Sequence, residues 1–101
     1  RVTQELGGKS ANIILRDADF EKSFKKGVFA CMSNSGQSCN APTRIIIPKE
    51  KMEVAIQLSK EITKSIVLGD PNIPETTIGP LVNKNQFKKV ICALKVTNQN
   101  F

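Results

Sequence analysis

The chain has 101 residues, of which 40% are hydrophobic and 24% are charged, with a formal net charge of +6. Its length predicts at most one domain, and its hydrophobic patterning leads us to expect neither a membrane span nor a charged-then-apolar leader. The lysines are scattered over three predicted helices and no aromatic residues alternate with them, so we expect solvated helix faces rather than a nucleic-acid surface.

Three cysteines and no histidine limit the available chemistry. An odd number of cysteines without a close pair argues against a disulfide framework, so we expect a reducing, cytoplasmic location. Without histidine, a Cys/His metal site is not expected, and any nucleophile must act without an imidazole base.

The first part of the chain predicts a strand and a helix. Residues 1–6 alternate loosely and could be extended, with Gly7 and Gly8 ending that segment. Residues 10–15 predict a short buried strand, and the cluster of acidic residues within positions 17–21 marks a helix start. The helix should run to about Ser33, because apolar residues recur at helical spacing: Phe20, Phe24, Val28 and Cys31. Cys31 is therefore expected in the core.

A polar turn at residues 34–41 follows and carries Cys39. Residues 43–47 predict a second strand, ended by Pro48, and a second helix then presents one apolar face: Ala55, Leu58, Ile62 and Ile66. This order predicts the α/β class, as a βαβα unit with parallel strands and a right-handed crossover. After a turn-rich loop at residues 68–74, a third helix is predicted over residues 84–96.

Cys39 and Glu5 are the candidate catalytic residues. Cysteine is intrinsically a strong nucleophile, and a polar turn offers backbone N–H groups that can stabilise a thiolate and an oxyanion. Glu5 lies directly before Leu6, Gly7 and Gly8, where apolar surroundings can favour action as a base. Spacing alone leaves open the alternative of a buried structural cysteine and an ordinary surface glutamate.

Two motifs occur in a set order along the chain. The first is ELGGKS at residues 5–10, and the second is NSGQSCNAPTR at residues 34–44. They resemble the glutamate and cysteine signatures of the NAD(P)-dependent aldehyde dehydrogenase superfamily, and GDP at residues 69–71 with IGPL at residues 78–81 resembles the family's continuation. The resemblance covers roughly residues 2–90 and implies part of the catalytic domain of such an enzyme.

The resemblance implies an oxidoreductase that converts an aldehyde into a carboxylic acid. By resemblance, Cys39 attacks the carbonyl to give a thiohemiacetal, loss of hydride to NAD or NADP leaves a thioester, and Glu5 activates the water that hydrolyses it. The Cys39 N–H is expected to be an oxyanion donor, and the backbone of Leu6 and Gly7 to lie near the nicotinamide. Family members are homo-oligomers that act on small-molecule aldehydes, and no metal, nucleic acid or membrane is implied.

The resemblance also divides the chain. Residues 1–9 are expected to end the cofactor-binding domain and cross over, residues 10–90 to begin the catalytic domain, and residues 91–101 to form a divergent tail. Gln4 and Ala11 depart from the family, which usually has an apolar residue and a proline at these positions. The sequence lacks the glycine-rich loop of the cofactor domain, so an inactive remnant and a small basic binding module stay open as alternatives.

Three other polar residues receive predicted roles. Gln37 and Arg44 belong to the cysteine signature and are expected to have structural roles near the turn. Lys9 is expected to be solvated or ion-paired rather than a ligand of the cofactor's phosphates.

Overall fold

The computed structural model describes residues 1–98, so residues 99–101 of the expected divergent tail lie outside the described residues. The elements are, in chain order, β1 (Ala11–Ile13), α1 (Phe20–Met32), a 3-10 turn (Ser33–Gly36), β2 (Arg44–Ile46), a second 3-10 turn (Lys49–Lys51), α2 (Met52–Ser65) and α3 (Lys84–Asn98). This order confirms the predicted α/β class, the βαβα unit and the third helix.

The two strands pair in parallel, as predicted, with Ala11 opposite Arg44 and Ile13 opposite Ile46. Helices α1 and α2 cover one face of this sheet, where a single hydrophobic core forms. The core consists of Ile14, Phe20, Phe24, Val28, Ala55, Leu58 and Ile62, with Ile45 and Ile47 packed against it.

Helix α1 begins where the acidic cluster predicts. The carboxylate of Asp19 caps the helix by accepting a hydrogen bond of 3.2 Å from the N–H of Lys22, which satisfies one of the free donors of the first turn. The rings of Phe20 and Phe24 stack with their centroids 5.6 Å apart. Cys31, expected in the core, is only half-buried and lies outside the core cluster, because it sits in the last turn of α1.

The strand predicted at residues 10–15 forms over Ala11–Ile13, but the prediction that it is buried is wrong for most of its length. Ile14 is buried, but Ile13 and Leu15 are 62% and 64% exposed. The sheet has two strands and is covered by helices on one face, so alternate residues of β1 point away from the core. Residues 1–10 form no strand or helix.

Helix α2 follows the second 3-10 turn and buries Ala55, Leu58 and Ile62, whereas Ile66 at its C-terminal cap is half-buried. Helix α3 begins after Asn83, whose side-chain oxygen accepts a hydrogen bond from the N–H of Gln86. Its apolar residues stay exposed, with Phe87 at 55% and Leu94 at 54%. Over residues 1–98, no helix is both long enough and apolar enough to cross the hydrocarbon core of a membrane.

A candidate active site between the Glu5 segment and the Cys39 loop

The Cys39 loop, residues 33–43, leaves helix α1 through three consecutive residues in the left-handed region. Asn34, Ser35 and Gly36 have φ angles of 51°, 56° and 72°. Asparagine tolerates this region and glycine adopts it freely, whereas serine does so at a cost. These residues end the helix sharply and turn the chain back towards the sheet.

Hydrogen bonds within the loop hold it in this shape. The backbone N–H of Gln37 donates to the carbonyl oxygen of Asn34 at 3.1 Å, and the Gln37 amide donates to the same oxygen at 3.4 Å. The Asn34 amide in turn donates to the Gln37 carbonyl at 3.4 Å. A further turn is closed by the N–H of Ala41 and the carbonyl of Ser38 at 3.0 Å. The loop that carries Cys39 therefore has its own supports, and Gln37 is one of them.

Cys39 is exposed on this loop, in the helix-to-strand connection where the sequence predicts it. Its backbone N–H donates no hydrogen bond to any other group within residues 1–98. An unpaired N–H beside a thiol is the arrangement that can stabilise an oxyanion formed on an attacked carbonyl.

The Glu5 segment, residues 5–9, lies against the Cys39 loop. Gly8 lies close to this loop, since a Cβ placed on it would lie 3.4 Å from the carbonyl oxygen of Cys39. Further along, the Arg44 side chain donates to the carbonyl oxygen of Lys9, from Nε at 3.1 Å and also from Nη2. These contacts place a segment without regular secondary structure beside the thiol.

The Glu5 segment and the Cys39 loop together enclose one open cavity of about 420 Å³. All four sequence-predicted site residues, Glu5, Leu6, Gly7 and Cys39, line it. The other lining residues are Gly8, Lys9, Gly36, Gln37 and Ser38. Glu5 and Cys39 therefore border one shared space that a small molecule can enter.

The carboxylate of Glu5 makes no ion pair and accepts no hydrogen bond from other described residues. Its oxygens are therefore open to hydrogen bonds from water. Lys9, expected to be solvated or ion-paired, is exposed, makes no ion pair with another described residue and is one of the residues that line the cavity. Within residues 1–98, no group of three or more His, Cys, Asp or Glu side chains is placed to hold a metal ion.

A larger cavity of about 990 Å³ lies elsewhere, between the end of α1, the turn-rich loops and the start of α3. It is bounded mainly by apolar side chains, among them Met32, Leu68, Leu81 and Phe87, and neither Cys39 nor Glu5 lines it. Its lining includes the polar side chains of Ser35 and Asp70 but no thiol, so it is the weaker candidate for cysteine chemistry, although it is the larger space.

The sequence did not predict that the Arg44 side chain contacts the Glu5 segment. It predicts a role near the turn, whereas the guanidinium lies on the carbonyl of Lys9 and so contacts the Glu5 segment. The signal that could have revealed this is the parallel pairing of the strands, because a register that sets Ala11 opposite Arg44 also brings Arg44 beside the residues just before β1.

Comparison with known proteins agrees with these observations. The model of the aldehyde dehydrogenase family matches residues 1–100. A 3-succinoylsemialdehyde-pyridine dehydrogenase of a Pseudomonas species is 52% identical over 90 residues, which are 89% of this chain and 19% of that enzyme. The mitochondrial aldehyde dehydrogenase of Homo sapiens is 41% identical over 91 residues, 90% of this chain and 18% of that protein.

Solved structures give the same result. A mutant of aldehyde dehydrogenase C from Pseudomonas syringae, in complex with NAD+ and octanal, superposes with a TM-score of 0.82 at 48% identity over 89% of this chain. The NAD+ complex of an aldehyde dehydrogenase from Bacillus cereus superposes with a TM-score of 0.87 at 34% identity over 95% of this chain. The chain spans 19% and 20% of these two proteins. It belongs to the aldehyde dehydrogenase family.

Proposed function

We propose that the cavity between the Glu5 segment and the Cys39 loop is part of an active site that oxidises a small-molecule aldehyde to a carboxylic acid with NAD or NADP. The observation that carries this proposal is that Glu5 and Cys39, distant in sequence, line the same cavity. Membership of the aldehyde dehydrogenase family supports the reaction class, and the octanal complex of a relative supports an aldehyde as the substrate.

Cys39 is the proposed nucleophile. Its thiolate attacks the aldehyde carbonyl carbon, a C–S bond forms, and the carbonyl oxygen becomes the oxyanion of a thiohemiacetal. The unpaired backbone N–H belongs to the same residue as the attacking thiol and is proposed to donate a hydrogen bond to that oxygen. Exposure of Cys39 leaves the approach of the aldehyde open.

The residues of this chain fit one end of the cofactor. Leu6 is 72% exposed, and Gly7 has no heavy atom within 4 Å of the position that its Cβ would occupy, so a flat ring can approach this backbone closely. When bound, NAD or NADP supplies the hydride acceptor. Leu6 and Gly7 are proposed to hold the nicotinamide end, and residues outside this chain would have to bind the phosphates, since the sequence contains no glycine-rich phosphate loop.

Glu5 is the proposed general base for the second half of the reaction. Its carboxylate takes a proton from water, the water oxygen attacks the thioester carbonyl, and the C–S bond breaks to release the carboxylic acid and the Cys39 thiolate. The absence of competing partners for Glu5 among the described residues supports this role.

The domain division is proposed in the same way. Residues 1–9 are proposed to end the cofactor-binding domain, which is supported by their exposure and by their lack of strand or helix. Residues 10–90 are proposed to begin the catalytic domain, and the divergence of residues 91–101 stays a prediction.

An activated aryl ester tests the thiol chemistry without any cofactor, because it acylates a reactive thiol directly and produces the same thioester. We expect mass spectrometry to find the acyl group on Cys39, and Glu5→Gln to leave acylation intact while slowing hydrolysis of the thioester. Cys92→Ala is the matched control, since Cys92 is also an exposed free thiol. Equal acylation of Cys39 and Cys92, with no effect of Glu5→Gln, would contradict the proposal and favour an inactive remnant.

A further inference from the structure

The Glu5 segment is held by a single side chain. Within residues 1–98, the hydrogen bonds that reach residues 1–9 all come from Arg44, whose Nε and Nη2 both donate to the carbonyl oxygen of Lys9. The next carbonyl, that of Ser10, accepts from the backbone N–H of Arg44 at 3.4 Å. The position of Glu5 thus depends on a residue that is not itself in the cavity lining.

Arg44 connects the Glu5 segment to the ordered sheet. It is the first residue of β2 and pairs with Ala11 of β1, so the parallel sheet fixes its backbone. It also ends the loop that carries Cys39. A guanidinium that gives two N–H groups to one carbonyl forms charge-assisted hydrogen bonds, which are stronger than neutral ones. One residue therefore links the strand, the Cys39 loop and the Glu5 segment.

We propose that Arg44 is a positioning residue that sets the Glu5 carboxylate opposite the Cys39 thioester. The inference rests on the proposed function. Acylation needs only Cys39 and its loop, which is held by the hydrogen bonds of Asn34 and Gln37. Hydrolysis also needs Glu5 within reach of the attacking water, and it is this step that Arg44 serves.

The kinetic test separates the two steps in single-turnover reactions of the chain with the activated aryl ester. In Arg44→Ala we expect an unchanged rate of Cys39 acylation and a hydrolysis rate lower by about 10-fold to 100-fold, the effect of losing a charged hydrogen bond. Arg44→Lys should recover little, because an ammonium cannot present two coplanar N–H groups. Ethylguanidinium in solution should restore hydrolysis in Arg44→Ala but not in Glu5→Gln.

Arg16→Ala is the matched control, since Arg16 is an exposed arginine whose ion pair is with Glu50, at 3.4 Å. It removes the same charge without touching the Glu5 segment, so hydrolysis should stay at the unsubstituted rate. Circular dichroism and urea unfolding establish that each variant is folded. If Arg44→Ala does not fold, Arg44→Lys decides the question.

A geometric readout does not depend on catalysis. Glu5→Cys, combined with Cys31→Ser and Cys92→Ser, places a thiol in the cavity that can form a disulfide with Cys39. The equilibrium of this disulfide in a glutathione buffer gives the effective concentration of the introduced thiol at Cys39. That effective concentration should fall by about 10-fold or more when Arg44→Ala is added, because the Glu5 segment loses its hydrogen bonds to Arg44.

The two proposals fail in different ways. If Glu5→Gln slows hydrolysis but Arg44→Ala and Arg44→Lys do not, and the disulfide equilibrium is unchanged, the role of Arg44 is overturned while the proposed function stands. If Glu5→Gln alone does not change the rate of thioester hydrolysis, the proposed function is overturned, and the proposed role of Arg44 is overturned with it.

Discussion

Replacing Gly27 by alanine should destabilise the chain, although this exchange normally stabilises a helix. Gly27 is buried inside α1, and a Cβ built on it would lie 2.0 Å from Nδ2 and 3.3 Å from Cγ of Asn12. Asn12 belongs to β1 and is half-buried, so its amide must shift within the contact between helix and sheet. Ile45 Cδ1, at 3.7 Å, is an ordinary contact and requires no shift.

The size of the effect follows from two opposing terms. Alanine is favoured over glycine by about 1 kcal/mol in a helix interior, while forcing an extra methyl group into a filled site costs about 1–3 kcal/mol. The clash is far closer than any normal contact, so we expect the upper part of that range and a net loss of about 1–2 kcal/mol in the free energy of unfolding. A loss of 1 kcal/mol would lower the melting temperature by about 4–8 °C.

Urea unfolding in two backgrounds tests this reasoning. In Asn12→Ala the obstacle is gone, so Gly27→Ala should there increase the free energy of unfolding, by up to about 1 kcal/mol. The sign of the effect thus reverses between backgrounds. The same change in both backgrounds, or stabilisation in the unsubstituted chain, would show that Asn12 does not occupy the space beside Gly27.

Three further outcomes are expected. Leu58→Ala should cost about 2–5 kcal/mol in the free energy of unfolding, while Leu94→Ala should cost little, because Leu58 is 6% and Leu94 54% exposed; comparable losses in urea unfolding would contradict the exposure of α3. Gly36→Ala should cost about 1–2 kcal/mol because its φ is 72°, whereas Gly7→Ala should be almost neutral; thermal melts distinguish the two. Asp19→Ala removes the α1 cap and should cost about 1 kcal/mol, measured in the same way, and no loss would show that the Lys22 N–H finds another acceptor.

The spacing of apolar residues along the sequence was sufficient to predict the helices and their buried faces. The spacing of Phe20, Phe24 and Val28 predicts the buried face of α1, and Ala55, Leu58 and Ile62 predict that of α2. Burial along the strands was not predictable, because the exposed Ile13 and Ile46 have the same side-chain chemistry as the buried Ile14 and the half-buried Ile45. Whether such a residue is buried depends on which layers cover the sheet, and here helices cover one face.

The sequence by itself determined the family, the two motifs and the candidate pair Glu5 and Cys39, because these depend on residue types in a set order. Only the tertiary structure decided that the two residues line one cavity and that the Arg44 side chain donates to the carbonyl oxygen of Lys9 in the Glu5 segment. The physical reason is that both facts depend on the parallel register of β1 and β2, which brings remote segments together. That register follows from the packing of the whole βαβα unit rather than from either motif.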